Sequence, residues 1–351
     1  MAALIRRAQG APEELSTVRK LLLLGVLVLS LGCSSRSVVV VYSPHGQEML
    51  GDYEKLFEAT HPEVDVQWLD MGAQEVYSRI RAESARPAAD VWWGAPSVLF
   101  EQAAKEGLLA AYRPAWAEAI AADQKDPEDR WFATFLSPLA ILFNTQGLSA
   151  AEAPQTWDAL LEPAWQGRIS LRKPLASGTM RTFIAAMIAR APSEDEGLGW
   201  LKRLHAATGS YPESPNLLFD HLKKNPDKIS VWLMPDVILQ RDRNGFPFGY
   251  VVPPDTPVLT DAIAIVKDAP HPELARQFYD FVTTQEALIH QAEAYAKLPA
   301  RNDIPKEKLP AALTAQPIVP MALDWARVAA NEAAWCDRWD KEVQQAGKGG
   351  A

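Results

Sequence analysis

Cysteine is nearly missing. There are 2 in 351 residues, which excludes a disulfide-stapled scaffold. Basic charge is in deficit, with 35 Lys+Arg against 44 Asp+Glu and a net charge of -9. Binding a nucleic-acid backbone needs a basic face, so a nucleic-acid partner is excluded. Histidine is sparse, at 6 residues. His61, His205, His221, His271 and His290 are scattered without zinc-ligand spacing, so no metal and no cofactor is expected. No apolar run reaches the roughly 20 residues that cross a bilayer. The chain also lacks a G-x-S-x-G elbow and an H-E-x-x-H helix, the marks of two common hydrolase classes.

The composition that is present, 48% hydrophobic and 23% charged, is that of a globular body with a sizeable core. The length suits two domains. Residues 21–31 form a short apolar run after Arg19 and Lys20, followed by Ser30-Leu31-Gly32-Cys33. A basic start, a short apolar stretch and small residues before a cut site make a secretory signal over 1–33. The last four residues resemble a lipobox, although Ser30 stands where that pattern prefers Leu. Cys33 is then the lipidation site and the membrane anchor, with ordinary cleavage nearby as the alternative. Residues 1–18 are long for such a leader, and a start at Val18 is one reading of that length. The remaining cysteine, Cys336, reads as a core residue on a helix.

Beyond the leader, strand and helix alternate. Residues 37–42 (Ser-Val-Val-Val-Val-Tyr) read as a strand buried on both faces. Residues 47–60 have helical spacing, and 64–69 alternate as a second strand. A helix over 73–84, a strand over 90–93 and a helix over 98–107 follow. That order predicts a parallel sheet with crossover helices. The apolar run 133–144 contains Ser137-Pro138 and is read as two strand segments with a break. Strands are expected at 168–171, 229–232, 248–252 and 262–266. Helices are expected at 179–191, 194–207, 216–224, 272–282, 285–296 and 322–345, with fraying at 347–351.

Three stretches together resemble the extracellular solute-binding proteins of ABC importers, in the branch of ferric-iron, phosphonate, thiamine and polyamine binders. The most specific is Pro154-Gln155-Thr156-Trp157-Asp158-Ala159-Leu160-Leu161-Glu162-Pro163-Ala164-Trp165-Gln166-Gly167-Arg168-Ile169. The second is Ala89-Asp90-Val91-Trp92-Trp93 with Glu106-Gly107-Leu108-Leu109. The third runs from Asp261 through Val266 to Phe278-Tyr279-Asp280-Phe281-Val282. The resemblance implies an α/β, two-lobed periplasmic-binding-protein fold of type II, with ligand in a cleft between lobes joined by two hinge strands. It divides the chain into 37–137 plus 254–351 and 138–253. It also implies a monomer outside the cytoplasm, partnered by a small-molecule ligand and an importer's permease, with no bond made or broken. A sensor built on the same fold is the alternative role, and an extracellular hydrolase the other class.

In open α/β sheets ligands sit at the carboxyl ends of strands. That rule selects Tyr42, Ser43 and His45 after the first strand, and Trp92 and Trp93 with one of the pair lining the cleft. It also selects Ser177-Gly178-Thr179 opening a helix, where free N–H groups and hydroxyls suit an anion; a plain cap is the alternative. Asn216 in Ser214-Pro215-Asn216 is a second such end. Trp232 and Asp236 follow a later strand; Asp236 either answers an amine or caps the next helix. Many iron-binding members carry paired tyrosines after that strand, and here the stretch reads Trp232-Leu233-Met234-Pro235-Asp236. The expected ligand is therefore a small anion or zwitterion such as a phosphonate or phosphate ester. A polyamine or thiamine-like cation and ferric iron are the alternatives.

Overall fold

A computed structural model describes residues 36–345. The leader, Cys33 and residues 347–351 lie outside the described residues. The chain runs β1 (Ser37–Ser43), α1 (Gln47–Thr60), β2 (Val64–Asp70), α2 (Ala73–Ala82), β3 (Val91–Pro96), α3 (Ser97–Lys105) and β4 (Leu109–Ala110). The long β5 (Phe132–Asn144) follows, then β6 (Ile169–Ser170), α4 (Gly178–Ala189), α5 (Glu194–Ala207), β7 (Thr208–Ser210), α6 (Pro215–Lys224), β8 (Ile229–Leu233) and α7 (Met234–Asp242). The return consists of β9 (Phe248–Val251), β10 (Val258–Val266), α8 (Pro272–Val282), α9 (Gln285–Tyr295), β11 (Leu298–Pro299), α10 (Ala311–Thr314) and α11 (Trp325–Trp339).

The strands order as β2-β1-β3-β10-β5-β8-β6-β7. β1 is parallel to β2 and β3, as the crossover helices require. β10 runs antiparallel between β3 and β5. β5 belongs to both halves of the molecule. Its first part, through Pro138, pairs with β10, and its second part, from Leu139, pairs with β8 and β9. The break expected at Ser137-Pro138 is therefore absent, and one continuous strand passes through. Proline is tolerated because it sits at the changeover, where a missing N–H costs least. The segment from Val251 to Val258 is the second crossing. These two connections join two sheets, which is the two-lobed type II architecture.

Alternation along β3 sets the first lobe's core. Trp93 faces one side, edge-on to Tyr53 at 5.2 Å and Phe278 at 5.9 Å. Trp92 faces the other, stacked on Phe100 at 3.9 Å. Asp90, fully buried, ties the sheet to α8: its carboxylate accepts the Val40 N–H at 2.8 Å and the His271 N–H at 2.7 Å. In the second lobe Trp157 and Trp165 are buried, and Trp157 Nε1 donates to the Asp255 carbonyl at 3.1 Å. α11 is shorter than the helix expected over 322–345, giving way to a π turn over Asp340–Gln344. It lies against both α4 and α3, and Cys336 is buried in that contact.

Candidate ligand-binding cleft

The strand ends and helix starts open into one cleft of about 620 Å³. From the first lobe come the turn after β1, the N-terminus of α2, the end of β3, and β10 with its neighbours Tyr295 and Lys297. From the second lobe come the segment after β6, the N-terminus of α4 and the start of α7.

Two helix N-termini converge there. Gly72, Ala73 and Gln74 begin α2, which has no side-chain cap. Ser177, Gly178 and Thr179 begin α4, where Ser177 Oγ accepts the Met180 N–H at 3.3 Å. That cap leaves the Gly178 and Thr179 amides without a partner among the described residues. The two ends are close, since a Cβ on Gly178 would lie 3.9 Å from the Ala73 Cβ. Arg172 lines the same cleft. Its Nη2 reaches the Glu213 carbonyl at 3.4 Å, and its Nε is buried with no acceptor among the described residues. Burial lowers the Arg172 guanidinium below its ordinary value, against the opposing charge of Glu213. A second arginine, Arg181, also lines the cleft, but it is spent on Glu332 of α11 at 2.9 Å.

On the first-lobe side His45 forms part of the wall. Ser43 Oγ accepts the His45 N–H at 3.2 Å. Trp93 meets the ring edge-on at 5.1 Å, and Phe135 lies 5.2 Å away. Gly94, at φ 91, lets the ring lie over the end of β3; a Cβ there would overlap the imidazole. Burial, with the Lys297 charge second, holds His45 well below the ordinary histidine pKa. Asp261 on β10 faces the same space. Its oxygens accept the Ser137 hydroxyl at 3.0 Å and the Ala95 N–H at 3.3 Å. Burial raises its pKa, which Lys297, Ser137 and the Ala95 amide oppose. Register shifts on both sides of Asp261 mark a β-bulge, a device that re-aims a side chain. Across the cleft Trp232 Nε1 donates to Asp236 Oδ2 at 2.9 Å, so this carboxylate orients the indole from the first turn of α7.

His45, Ser177, Gly178, Thr179, Trp232 and Asp236 thus line the cleft. The other expected positions do not. Tyr42 is core, its hydroxyl donating to Glu83 Oε2 at 3.0 Å. Ser43 is buried and holds His45 from behind. Neither Trp92 nor Trp93 reaches the cleft; both are fully buried, because each sheet face is covered by helices. Asn216 points to solvent, and only the preceding Pro215 joins the wall. The sequence reading missed Arg172, Asp261 and Lys297. Arg172 was within reach of the strand-end rule, standing two residues after β6. Asp261 was signalled by a charge inside an apolar run. Lys297 follows the left-handed Ala296 at φ 53 and carries no local signal. Among the described residues no three His, Cys, Asp or Glu side chains gather as a metal-holding group.

The sequence model of bacterial extracellular solute-binding proteins matches residues 87–331. A probable ABC transporter periplasmic-binding protein, y4fP of Sinorhizobium fredii, is 25% identical over 316 residues, covering 88% of this chain and 87% of that one. Among solved structures, the periplasmic binding protein AfuA from Actinobacillus pleuropneumoniae, with exogenous fructose-6-phosphate bound, superposes with a TM-score of 0.77 at 23% identity, covering 88% of this chain and 99% of AfuA. A ferric binding protein from Campylobacter jejuni gives 0.76 at 18% identity, covering 86% and 98%. With its two lobes, its cleft and more than half its length matched, the chain belongs to the family of bacterial extracellular solute-binding proteins.

Proposed function

We propose that the chain is the lipid-anchored, extracytoplasmic binding component of an ABC importer, and that it captures a small anion of the phosphate-ester or phosphonate class. Lobes 37–137 with 254–351 and 138–253 close over the ligand, a hinge motion that shifts an open population to a closed one. The ligand leaves chemically unchanged. The reading is carried by two helix N-termini that line one cleft together with a buried arginine Nε that has no acceptor among the described residues. Free amides and helix dipoles favour an anion, and a guanidinium fork matches phosphate oxygens. The AfuA structure, with exogenous fructose-6-phosphate bound, lends support to the phosphate-ester class.

The test is a thermal-shift and calorimetric screen of the mature chain, stripped of ligand by refolding. A phosphate ester at a hundredfold its Kd adds about 2.7 kcal/mol. Arg172→Met weakens that binding by about tenfold or more, about 1.4 kcal/mol. Binding of spermidine or thiamine instead, lost in Asp236→Asn, replaces the anion with a cation. Binding of ferric citrate alone moves the ligand to iron. Mass spectrometry of the native chain's mature N-terminus tests the anchor: an acylated Cys33 as the first residue supports it, and an unacylated N-terminus cut elsewhere overturns it.

A further inference from the structure

The phosphate-like end of the cleft leaves the first-lobe wall unassigned, and that wall is chemically specific. His45 Nε2 is buried and has no hydrogen-bond partner among the described residues. Lys297 makes no ion pair or side-chain hydrogen bond among the described residues, and its ammonium lies 5.6 Å from the centre of the Phe135 ring. The same ring lies 5.2 Å from the imidazole of His45. Asp261 stands opposite Phe135 in the β10–β5 ladder, and His45, Asp261 and Lys297 all line the cleft, so the three groups share one corner. Asp261 has one acceptor site on each oxygen taken, by Ser137 and by Ala95, and a carboxylate offers about four. The corner is built at some conformational expense. Ala95 presents its N–H to Asp261 from φ 127, a backbone region that residues with a Cβ seldom occupy.

Resting on the anion reading, we propose that His45, Asp261 and Lys297 form a hydroxyl-reading subsite, so that the ligand is the phosphate monoester of a small polyol. Inorganic phosphate and simple alkyl phosphates would leave the corner empty. The charge pattern selects the group. Lys297 is a donor with no acceptor lone pair, Asp261 an acceptor, and a neutral imidazole offers one donor and one acceptor nitrogen. An ammonium group on the ligand would satisfy Asp261 but stand against Lys297. A carboxylate would satisfy Lys297 but stand against Asp261. A hydroxyl both donates and accepts, and neighbouring hydroxyls answer all three residues at once. A buried polar atom left unpaired also penalises an analogue that lacks the hydroxyl.

The experiment is titration calorimetry on the refolded mature chain with inorganic phosphate, ethyl phosphate, glycerol 3-phosphate, a hexose 6-phosphate and phosphoethanolamine. The polyol phosphates are expected to bind at least about tenfold tighter than ethyl phosphate, a ratio in the range that a hydroxyl-bonding site imposes. His45→Phe, and separately Lys297→Met should Asp261→Asn fail to fold, collapse that ratio to less than about threefold. Arg172→Met weakens every phosphate compound and keeps the ratio. Equal affinity for ethyl phosphate and the polyol phosphates overturns the subsite and leaves the anion reading intact. Preference for phosphoethanolamine also overturns it, because the corner would then read a cation. If no phosphorylated compound binds, the anion reading itself falls and the subsite with it.

Discussion

At the scale of single residues, His45 has the most to tell. It stands outside secondary structure, yet three neighbours fix it. Ser43 takes its N–H, Trp93 meets its ring, and Gly94 supplies the space. Its pKa lies well below the ordinary value because of burial and then Lys297. An unfolded histidine titrates near about 6.5. The stability linked to the neutral ring is therefore fully present above that value. It is lost as pH falls below it toward the folded pKa, at up to about 1.4 kcal/mol per pH unit. Thermal melts from about pH 7 to about pH 5.5 should show a larger fall for the native chain than for His45→Phe. Parallel curves would show that the imidazole charges in the folded state.

At the scale of elements, the motifs divide into those that build and those that bind. The Ala-Asp-Val stretch builds. Asp90 joins β1 to the start of α8 through two backbone N–H groups and faces His271 Nδ1 at 3.1 Å. Asp90→Ala strands those donors and should cost about 3 kcal/mol, read as a lower urea midpoint. A change under about 0.5 kcal/mol would mean that water replaces the carboxylate. The tryptophans of β3 build in the same way. A strand covered on both faces has no side chain left for a cleft, so alternation alone could not give one of them to the ligand. Helix starts are different, because their amides point along the axis to the helix end. The start of α4 was thus legible from Ser177-Gly178-Thr179. The start of α6 obeys the same local rule, with Ser214 Oγ accepting the Leu217 N–H at 3.3 Å, but the fold points Asn216 away from the cleft.

At the scale of the molecule, contacts outside the two crossings also join the lobes, and the proposed closure over a ligand would depend on them. Arg243, at the end of α7, pairs with Glu48 of α1 and lies 5.9 Å over the Tyr295 ring. Both charged groups are exposed, so the pair is worth up to about 1 kcal/mol and is screened by salt. Arg243→Ala should weaken ligand binding by about two- to fivefold at low salt, and by less at high salt, in titration calorimetry. Equal affinity at low salt would separate this pair from closure. α11 adds a further tie, packing on α3 and α4 and holding Arg181 through the buried Glu332. The sequence by itself determined the alternation of strand and helix and the Ser177 cap that starts α4. Each follows from hydrophobic period or turn chemistry within a few residues. Only the tertiary structure decided that β5 passes unbroken through Pro138 and that Trp92 and Trp93 are core. It alone brought Arg172, Asp261 and Lys297 to one cleft. Those outcomes depend on which segments lie across from one another, and the pairing of distant strands sets that.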